Sequence, residues 1–206
     1  LTKATVQADT QRIIELYRRQ GRNDVRVNPV TIDRGNGRVD LVFEIKEGDK
    51  VGVKEIKFVG NKAFSSWKLN DVISTTTSNW LSFLKSTDVY DPDRVNADQE
   101  LLRRFYLKNG YADFRIVSAT AEMSPNGGGF IITFTLDEGD QYRFGKVDVV
   151  SNIRDVPADR LRGVVRAREG DIYNAELVEK TVENLTIEVS KNGYAFAQVR
   201  PRGDRD

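Results

Sequence analysis

The chain has 206 residues, of which 39% are hydrophobic and 31% are charged, and its 32 basic and 31 acidic side chains leave a net charge of +1. A nucleic-acid-binding protein more often carries a clear excess of lysine and arginine on one face, so this balance argues against nucleic acid as a partner. The chain has no histidine and no cysteine, which excludes histidine-based triads, zinc bound by histidine and thiolate chemistry. We therefore expect a protein that is not an enzyme and that has no cofactor and no metal site.

The first predicted elements, within residues 1–48, are a helix and two strands. Apolar residues recur at helical spacing at Ile13, Leu16 and Tyr17, which predicts a helix. Two segments follow in which apolar and polar residues alternate, a pattern typical of strands. Their apolar positions are Val25 and Val27 in the first segment, and Val39, Leu41, Phe43 and Ile45 in the second.

The middle part of the chain, residues 51–138, begins with a strand and two helices. Residues 54–59 alternate and stop at Gly60-Asn61, which predicts a first strand and a turn. Ser65 is placed to cap a short helix. A longer helix is predicted to begin at Asp91-Pro92, because aspartate favours the N-cap and proline the first turn, and to end at Gly110.

Two further strands complete this middle part. Apolar residues alternate at Phe114 and Ile116, and again from Phe130 to Leu136 after a glycine-rich turn. The predicted order is β-α-α-β-β. Because each strand has one apolar face, the two helices should cover one face of a three-stranded sheet.

Residues 142–206 repeat this order without its last strand. Residues 146–150 predict a first strand, and Leu161, Val164 and Val165 reproduce the spacing of the short helix. Leu185 and Val189 continue the apolar stripe of a second helix. The third part therefore corresponds to the beginning of a further β-α-α-β-β repeat.

Three similar segments tie these parts together. They read RRQGRNDVRV, LKNGYADFRI and SKNGYAFAQV and are centred on Gly21, Gly110 and Gly193. Each follows a predicted helix and precedes a predicted strand, so we expect each glycine to end a helix just before a strand. The tripeptide Glu-Gly-Asp ends the first and the middle repeat, at residues 47–49 and 138–140. We therefore place three repeats at 1–48, 51–138 and 142–206, with almost no linker between them.

The repeat resembles a POTRA domain, and the tandem arrangement resembles the periplasmic arm of BamA-like outer-membrane protein insertases. The segments that carry the resemblance are VGNKAF, LRRFYLKNGYADF, FTLDEGDQYRFG and EGDIYNAELVEK. The resemblance implies an α+β fold of tandem β-α-α-β-β units, each a three-stranded sheet with two helices on one face. The first repeat is then the C-terminal part of a unit, the middle one a complete unit, and the third the N-terminal part of a further unit.

The same resemblance implies a location and partners. They are the periplasmic side of the bacterial outer membrane, unfolded outer-membrane proteins as clients, assembly lipoproteins, and a C-terminal β-barrel of the same protein outside these residues. The family has no catalytic residues to carry over. Two alternatives remain open: the arm of a TamA-like or two-partner secretion transporter, and a purely structural spacer.

The resemblance also indicates a binding site. In the family's sheet the strand after the second helix lies at an edge, and an edge strand can capture an extended client by β-augmentation. The residues concerned are Phe114, Arg115, Ile116, Val117, Ser118 and Ala119, which include no proline and no run of like charges. The equivalent strand of the first repeat contains Pro29, which removes a backbone donor. The alternative is a purely structural strand whose edge a neighbour covers.

A second candidate lies in an insertion of the middle repeat, STTTSNWLSFLKSTD, which has no counterpart in the third repeat. Its apolar residues are Trp80, Leu81, Phe83 and Leu84. If they are exposed together they mark an interface; otherwise they pack on their own helices or on the adjoining repeat.

Overall fold

The computed structural model describes residues 2–22, 24–79 and 88–204, and Trp80, Leu81, Phe83 and Leu84 lie outside them. The helices are α1 (Lys3–Arg19), α2 (Ser66–Val72), α3 (Pro92–Lys108), α4 (Ala158–Arg162) and α5 (Ala175–Lys191), and the strands are β1 (Arg26–Gly35), β2 (Arg38–Lys46), β3 (Val53–Val59), β4 (Arg115–Met123) and β5 (Phe130–Asp137). Across the described ranges, no helix is both long and apolar enough to cross a membrane.

The chain forms two compact units. The first consists of Leu1–Glu100 with Val117–Thr135, and the second of Leu101–Ile116 with Leu136–Asp206. The first therefore contains the first repeat and much of the middle one. The second contains the end of α3, the start of β4 and the whole third repeat.

In the first compact unit, the two predicted strands of the first repeat, β1 and β2, form a hairpin. They pair antiparallel, with Arg26 opposite Lys46 and Pro29 opposite Phe43. The connecting turn contains Asn36 at φ 56, a left-handed conformation that asparagine tolerates better than most residues.

The middle repeat forms a three-stranded sheet in the order β3-β5-β4. The first strand of the repeat, β3, pairs in parallel with the last, β5, so that Phe58 lies opposite Phe134 and their rings stack with centroids 5.6 Å apart. Strand β5 is central, and its residues alternate between buried and half-buried. The predicted alternation from Phe130 to Leu136 is thus confirmed.

The helices of the middle repeat begin where their capping residues predict. The Ser65 side chain accepts a hydrogen bond from the Lys68 backbone N–H at 3.2 Å, and Asp91 accepts one from the Asp93 N–H at 2.9 Å. Helix α3 also fixes the chain that leaves α2. The buried Asp98 carboxylate accepts hydrogen bonds from the backbone N–H groups of Ser74 and Thr75 at 2.6 and 3.1 Å.

The third repeat, inside the second compact unit, packs α4 and α5 on a small core of Val156, Leu161, Leu185 and Val189. The predicted first strand at residues 146–150 is not formed, and Val150 is 85% exposed. In the middle repeat the first strand is held by its last strand, β5. Within 142–204 no strand equivalent to β5 is present, and an extended segment without a partner has no ladder hydrogen bonds to hold it. The prediction of this strand was wrong for that reason.

Candidate functional site

Strand β4 lies at an edge of the sheet of the middle repeat, because among the described strands it pairs only with β5, in the order β3-β5-β4. Five of the six predicted site residues, residues 115–119, lie in this strand. The sixth, Phe114, comes just before it and is 5% exposed. Its ring stacks on that of Tyr106 with centroids 4.0 Å apart, so Phe114 anchors the beginning of β4 in the core.

The residues of β4 differ in exposure. Val117 is 62% exposed, whereas Ile116, Ser118 and Ala119 are half-buried. Arg115 binds the carboxylate of Asp137 through its Nε at 2.9 Å and its Nη2 at 2.6 Å, which ties the first residue of β4 to the last residue of β5. The strand is therefore fixed at its start by this ion pair. The next residues, 116–119, have small or aliphatic side chains.

Two other strand edges of the described chain, those of β3 and β1, are less suited to pairing. Strand β3 carries Lys54, Glu55 and Lys57, and the last two form an ion pair at 3.5 Å. Charged side chains on an edge strand oppose the addition of another strand. Strand β1 contains Pro29, which lacks a donor. Residues 116–121 of β4 include neither a charge nor a proline.

The three repeated glycines have the same backbone conformation. Gly21, Gly110 and Gly193 have φ angles of 83°, 96° and 91°. In each case the backbone N–H of the residue after the glycine donates to a carbonyl in the last turn of the helix, that of the residue four places before the glycine. We call these helix ends, residues 17–22, 106–111 and 189–194, the first, second and third repeat turns. The predicted helix stops are confirmed at all three, but the strand predicted after Gly193 is not formed in the described residues.

In the first two repeat turns the glycine carbonyl accepts a hydrogen bond from the next repeat. Val51 N–H donates to Gly21 at 2.9 Å, and Tyr142 N–H donates to Gly110 at 2.8 Å. The two donors are also acceptors. The carbonyl of Val51 accepts a hydrogen bond from Tyr90 N–H at 3.1 Å, and the carbonyl of Tyr142 accepts one from Tyr173 N–H at 2.9 Å. The glycines at 21 and 110 therefore join consecutive repeats.

The glycine of the Glu-Gly-Asp tripeptide packs against the same turns. A Cβ at Gly48 would lie 3.0 Å from the Cβ of Asp24, and one at Gly139 would lie 3.0 Å from the Cβ of Asp113. Tyr142 adds a side-chain bond here, since its hydroxyl donates to Asp113 at 2.8 Å. Each tripeptide thus positions the residue that follows it by two places. The backbone N–H of that residue then meets the carbonyl of the repeated glycine, Gly21 or Gly110.

The roles of Val51 and Tyr142 were missed by reasoning from sequence. The signal was present, because both residues follow a Glu-Gly-Asp tripeptide by two positions. The tripeptides were interpreted as boundaries only. A tripeptide that recurs after a repeated glycine also indicates a contact.

Glu176, at the start of α5, forms two ion pairs within the second compact unit, one with Lys180 of the same helix and one with Lys108 at the end of α3. Glu176 lies 2.7 Å from the Nζ of Lys180 and 2.9 Å from the Nζ of Lys108. The hydrogen bond from Lys180, followed by that from Lys108, lowers the pKa of the Glu176 carboxyl from 4.5 to about 2. These groups are solvent-exposed, so the cluster is expected to be sensitive to salt.

We expect part of the acid sensitivity of the second compact unit to come from Glu176. Its pKa is lower in the folded chain, so the unfolded chain binds the proton first and stability falls as the pH drops from about 4.5 to about 2. Urea unfolding of Glu176→Gln across this window should show a smaller loss than the wild-type chain. Glu179→Gln, an exposed change on the same helix, should retain the wild-type loss, and parallel curves for Glu176→Gln and wild type would contradict the assignment.

The described residues include no group of three or more acidic side chains placed to hold a metal ion. The chemistry that this geometry supports is main-chain hydrogen bonding, at the edge of β4 and at the repeat turns.

Comparison with known proteins places these features in a family. The family model POTRA, described as surface antigen variable number repeat, matches residues 1–48, 51–139 and 142–206. The crystal structure of Haemophilus influenzae BamA POTRA3-5 superposes with a TM-score of 0.51 at 19% identity, covering 96% of this chain and 72% of that one. At this identity the likeness shows the fold alone, and the predicted α+β fold is confirmed.

Curated relatives share the sequence over most of the chain. The outer membrane protein assembly factor BamA of Neisseria meningitidis is 25% identical over 197 residues, which are 96% of this chain and 25% of that protein. The protein of the same name from Neorickettsia risticii is 31% identical over 172 residues, 84% of this chain and 23% of that protein. The chain thus spans about a quarter of the length of these relatives.

Proposed function

The chain belongs to the POTRA family, and on that premise we propose that it is a periplasmic module of a BamA-like outer-membrane β-barrel insertase which binds unfolded client proteins and assembly partners by β-augmentation at β4. The edge of β4 on the side away from β5, to which no other described strand is added, carries this proposal. The module acts by binding and carries out no reaction of its own. Its place is the periplasmic side of the outer membrane.

Main-chain pairing explains how one edge serves many clients. Each added residue pair exchanges backbone N–H···O=C bonds, which need no particular client side chain. The exposed Val117 and the half-buried Ile116 offer apolar contacts to the two faces of an added strand. The Arg115–Asp137 ion pair keeps the start of the edge in register with β5. The edge is therefore ordered before a client arrives, which lowers the entropy cost of binding.

The repeats have separate parts in this function. We assign residues 1–48 to the C-terminal part of one POTRA domain, 51–138 to a complete domain, and 142–206 to the N-terminal part of a further one. Only the middle repeat presents a three-stranded sheet in the described chain. Assembly lipoproteins and the C-terminal β-barrel of the same protein are the remaining partners, bound by the longer protein.

Photocrosslinking tests the assignment of β4. A photoreactive residue replaces Thr120, which is exposed near the candidate site, and the chain is mixed with an outer-membrane barrel protein diluted from urea. We expect an adduct at Thr120, and we expect Ile116→Pro and Val117→Pro each to remove most of it. Successive residues of a strand direct their N–H groups to opposite sides, so one proline disturbs the pairing with β5 and the other only the open edge. The informative variant is the one that retains the wild-type unfolding midpoint.

The matched control places the photoreactive residue at Trp67, which is exposed on α2. Equal adducts at Trp67 and Thr120, or an adduct that survives both prolines, would exclude strand addition at β4. No adduct at either position would support a spacer that contacts only its neighbouring domains.

A further inference from the structure

The chain contains four Asn-Gly dipeptides, and the structure holds them differently. Asparagine before glycine is prone to lose its side-chain amide in water, because glycine has no side chain to hinder attack by its own backbone nitrogen. That attack needs a glycine N–H and an asparagine side chain that are free to approach each other. The dipeptides are Asn36-Gly37, Asn109-Gly110, Asn126-Gly127 and Asn192-Gly193.

Three of these dipeptides are held by hydrogen bonds. The side-chain amide of Asn109 donates to the carbonyl of Phe105 at 2.7 Å, in the last turn of α3. That of Asn192 donates in the same way, at 2.8 Å, to the carbonyl four residues before it in α5. In the third case the backbone N–H of Gly127 donates to the carbonyl of Ser124 at 2.8 Å. Each of these bonds has to open before the glycine nitrogen can reach the asparagine side chain.

Asn36 and Gly37 are held by no such bond. They form the two-residue turn between β1 and β2, next to the pair of Gly35 with Arg38, and both are exposed. Among the described residues, neither the Asn36 side chain nor the Gly37 N–H has a hydrogen-bond partner. A Cβ placed on Gly37 would meet nothing within 4 Å, so the space around the reacting atoms is open.

The openness of this turn belongs to the hairpin itself. In the middle repeat the corresponding turn joins β4 to β5, and Gly127 and Gly128 also have nothing within 4 Å of a Cβ, although β3 is paired with β5 there. The φ angles of Asn36 and Gly37, 56° and 72°, are both positive, as a type I′ turn requires, and Asn-Gly is a favoured pair for that turn. The dipeptide that shapes the turn is therefore also the reactive one.

We propose that Asn36 is a site of spontaneous deamidation and isomerisation, which alters the end of the β1–β2 hairpin. The backbone nitrogen of Gly37 attacks Cγ of Asn36, the new N–Cγ bond replaces the Cγ–Nδ2 bond, and ammonia leaves with the proton of the Gly37 N–H. Water then opens the succinimide ring. Opening at Cγ gives aspartate, and opening at the main-chain carbonyl gives isoaspartate. The proposal does not depend on strand addition at β4.

The isoaspartate product changes the backbone as well as the charge. Its main chain runs through Cβ, so the turn gains one backbone atom that a two-residue connection does not accommodate. The pairs nearest the turn, Ile32 with Asp40 and Asp33 with Val39, should therefore open. The aspartate product keeps the length of the turn and adds only a negative charge.

Peptide mapping by mass spectrometry tests the site after incubation of the purified chain at mildly alkaline pH. In urea, where no hydrogen bond protects any of the four asparagines, we expect similar rates of conversion. In the folded chain Asn36 should react at least about tenfold faster than Asn109 and Asn192, because an opening cost of about 1.4 kcal/mol reduces the reactive population tenfold. Equal rates at these three positions in the folded chain, or an Asn36 rate tenfold below its rate in urea, would overturn the proposal.

Two variants separate the chemistry from its structural effect. Asn36→Gln, whose longer side chain closes a ring less readily, should give almost no product at residue 36 and leave conversion at Asn126 unchanged. Freshly prepared Asn36→Asp supplies the charge without the extra backbone atom. Hydrogen exchange over residues 30–42 should accelerate in the isoaspartate form and stay near the wild-type rate in Asn36→Asp. Wild-type exchange in the isoaspartate form would contradict the proposed change to the hairpin.

Discussion

Gly110→Ala is expected to destabilise the second compact unit by about 2 to 5 kcal/mol. This is the sum of two costs, that of holding a residue with a Cβ at positive φ and that of overpacking. The φ of Gly110 is 96°. Its new Cβ would lie 2.8 Å from Ile172, 2.9 Å from the Cγ of Gln141 and 3.0 Å from the carbonyl oxygen of Tyr142. These atoms close the second repeat turn, so relief of the clash requires Tyr142 to move away from Gly110.

Gly193→Ala is the matched control. Gly193 has a φ of 91° and nothing within 4 Å of a Cβ, so alanine there should cost only the conformational part, about 1 to 2 kcal/mol. Urea unfolding followed by circular dichroism measures both losses, and hydrogen exchange at the Tyr142 and Tyr173 amides reports on the junction itself. We expect exchange at these amides to accelerate in Gly110→Ala alone. Equal losses for the two variants would show that the second turn is not tightly occupied in solution.

Tyr106→Ala is expected to cost about 3 to 5 kcal/mol, the range found when a buried aromatic ring is removed from a core. Tyr106 is fully buried. Its ring stacks on Phe114, with centroids 4.0 Å apart, and meets Tyr111 edge to face at 5.6 Å. Thermal unfolding of the chain measures the loss. Phe196→Ala removes an exposed ring and should change stability by no more than about 0.5 kcal/mol.

Tyr106→Phe measures the contribution of the hydroxyl to stability separately from that of the ring. The Tyr106 hydroxyl donates to the buried carboxylate of Glu138 at 2.8 Å. Burial, and then the adjacent Glu138, raise the pKa of this phenol, so that it remains a donor at all ordinary pH values. The variant should lose about 1 to 3 kcal/mol, because the buried carboxylate loses this hydrogen bond. A phenylalanine variant as stable as the wild type would show that Glu138 is satisfied without it.

Local signals predicted most elements of the middle repeat. The alternation from Phe130 to Leu136 predicts a strand because each apolar position of a half-covered sheet must face its core. Asp91 and Gly110 predict the ends of α3 because the backbone groups there need a capping acceptor and a left-handed residue. Such signals fail where a strand depends on a distant partner, as residues 146–150 show.

The candidate site was only partly accessible to the same reasoning. The strand at residues 115–119 is predicted by the alternation of apolar and polar residues that begins with Phe114 and Ile116. That the strand lies at an edge comes from the order β3-β5-β4, in which two strands adjacent in space are far apart in sequence. The junction bonds of Gly21 and Gly110 are likewise long-range, and periodicity within a segment carries no information about them.

The parallel pairing of β3 with β5 also has a kinetic consequence. Val53 pairs with Phe130, so the first strand of the middle repeat emerges during synthesis long before its partner exists. Closing so long a loop is slow, and an unpaired strand is prone to aggregate in the meantime. Strand β3 carries the charged side chains of Lys54, Glu55 and Lys57. Such charges should oppose aggregation of the unpaired strand until β5 has been synthesised. The same charges that oppose the addition of another strand to β3 should therefore also lower the tendency of the repeat to aggregate while it folds.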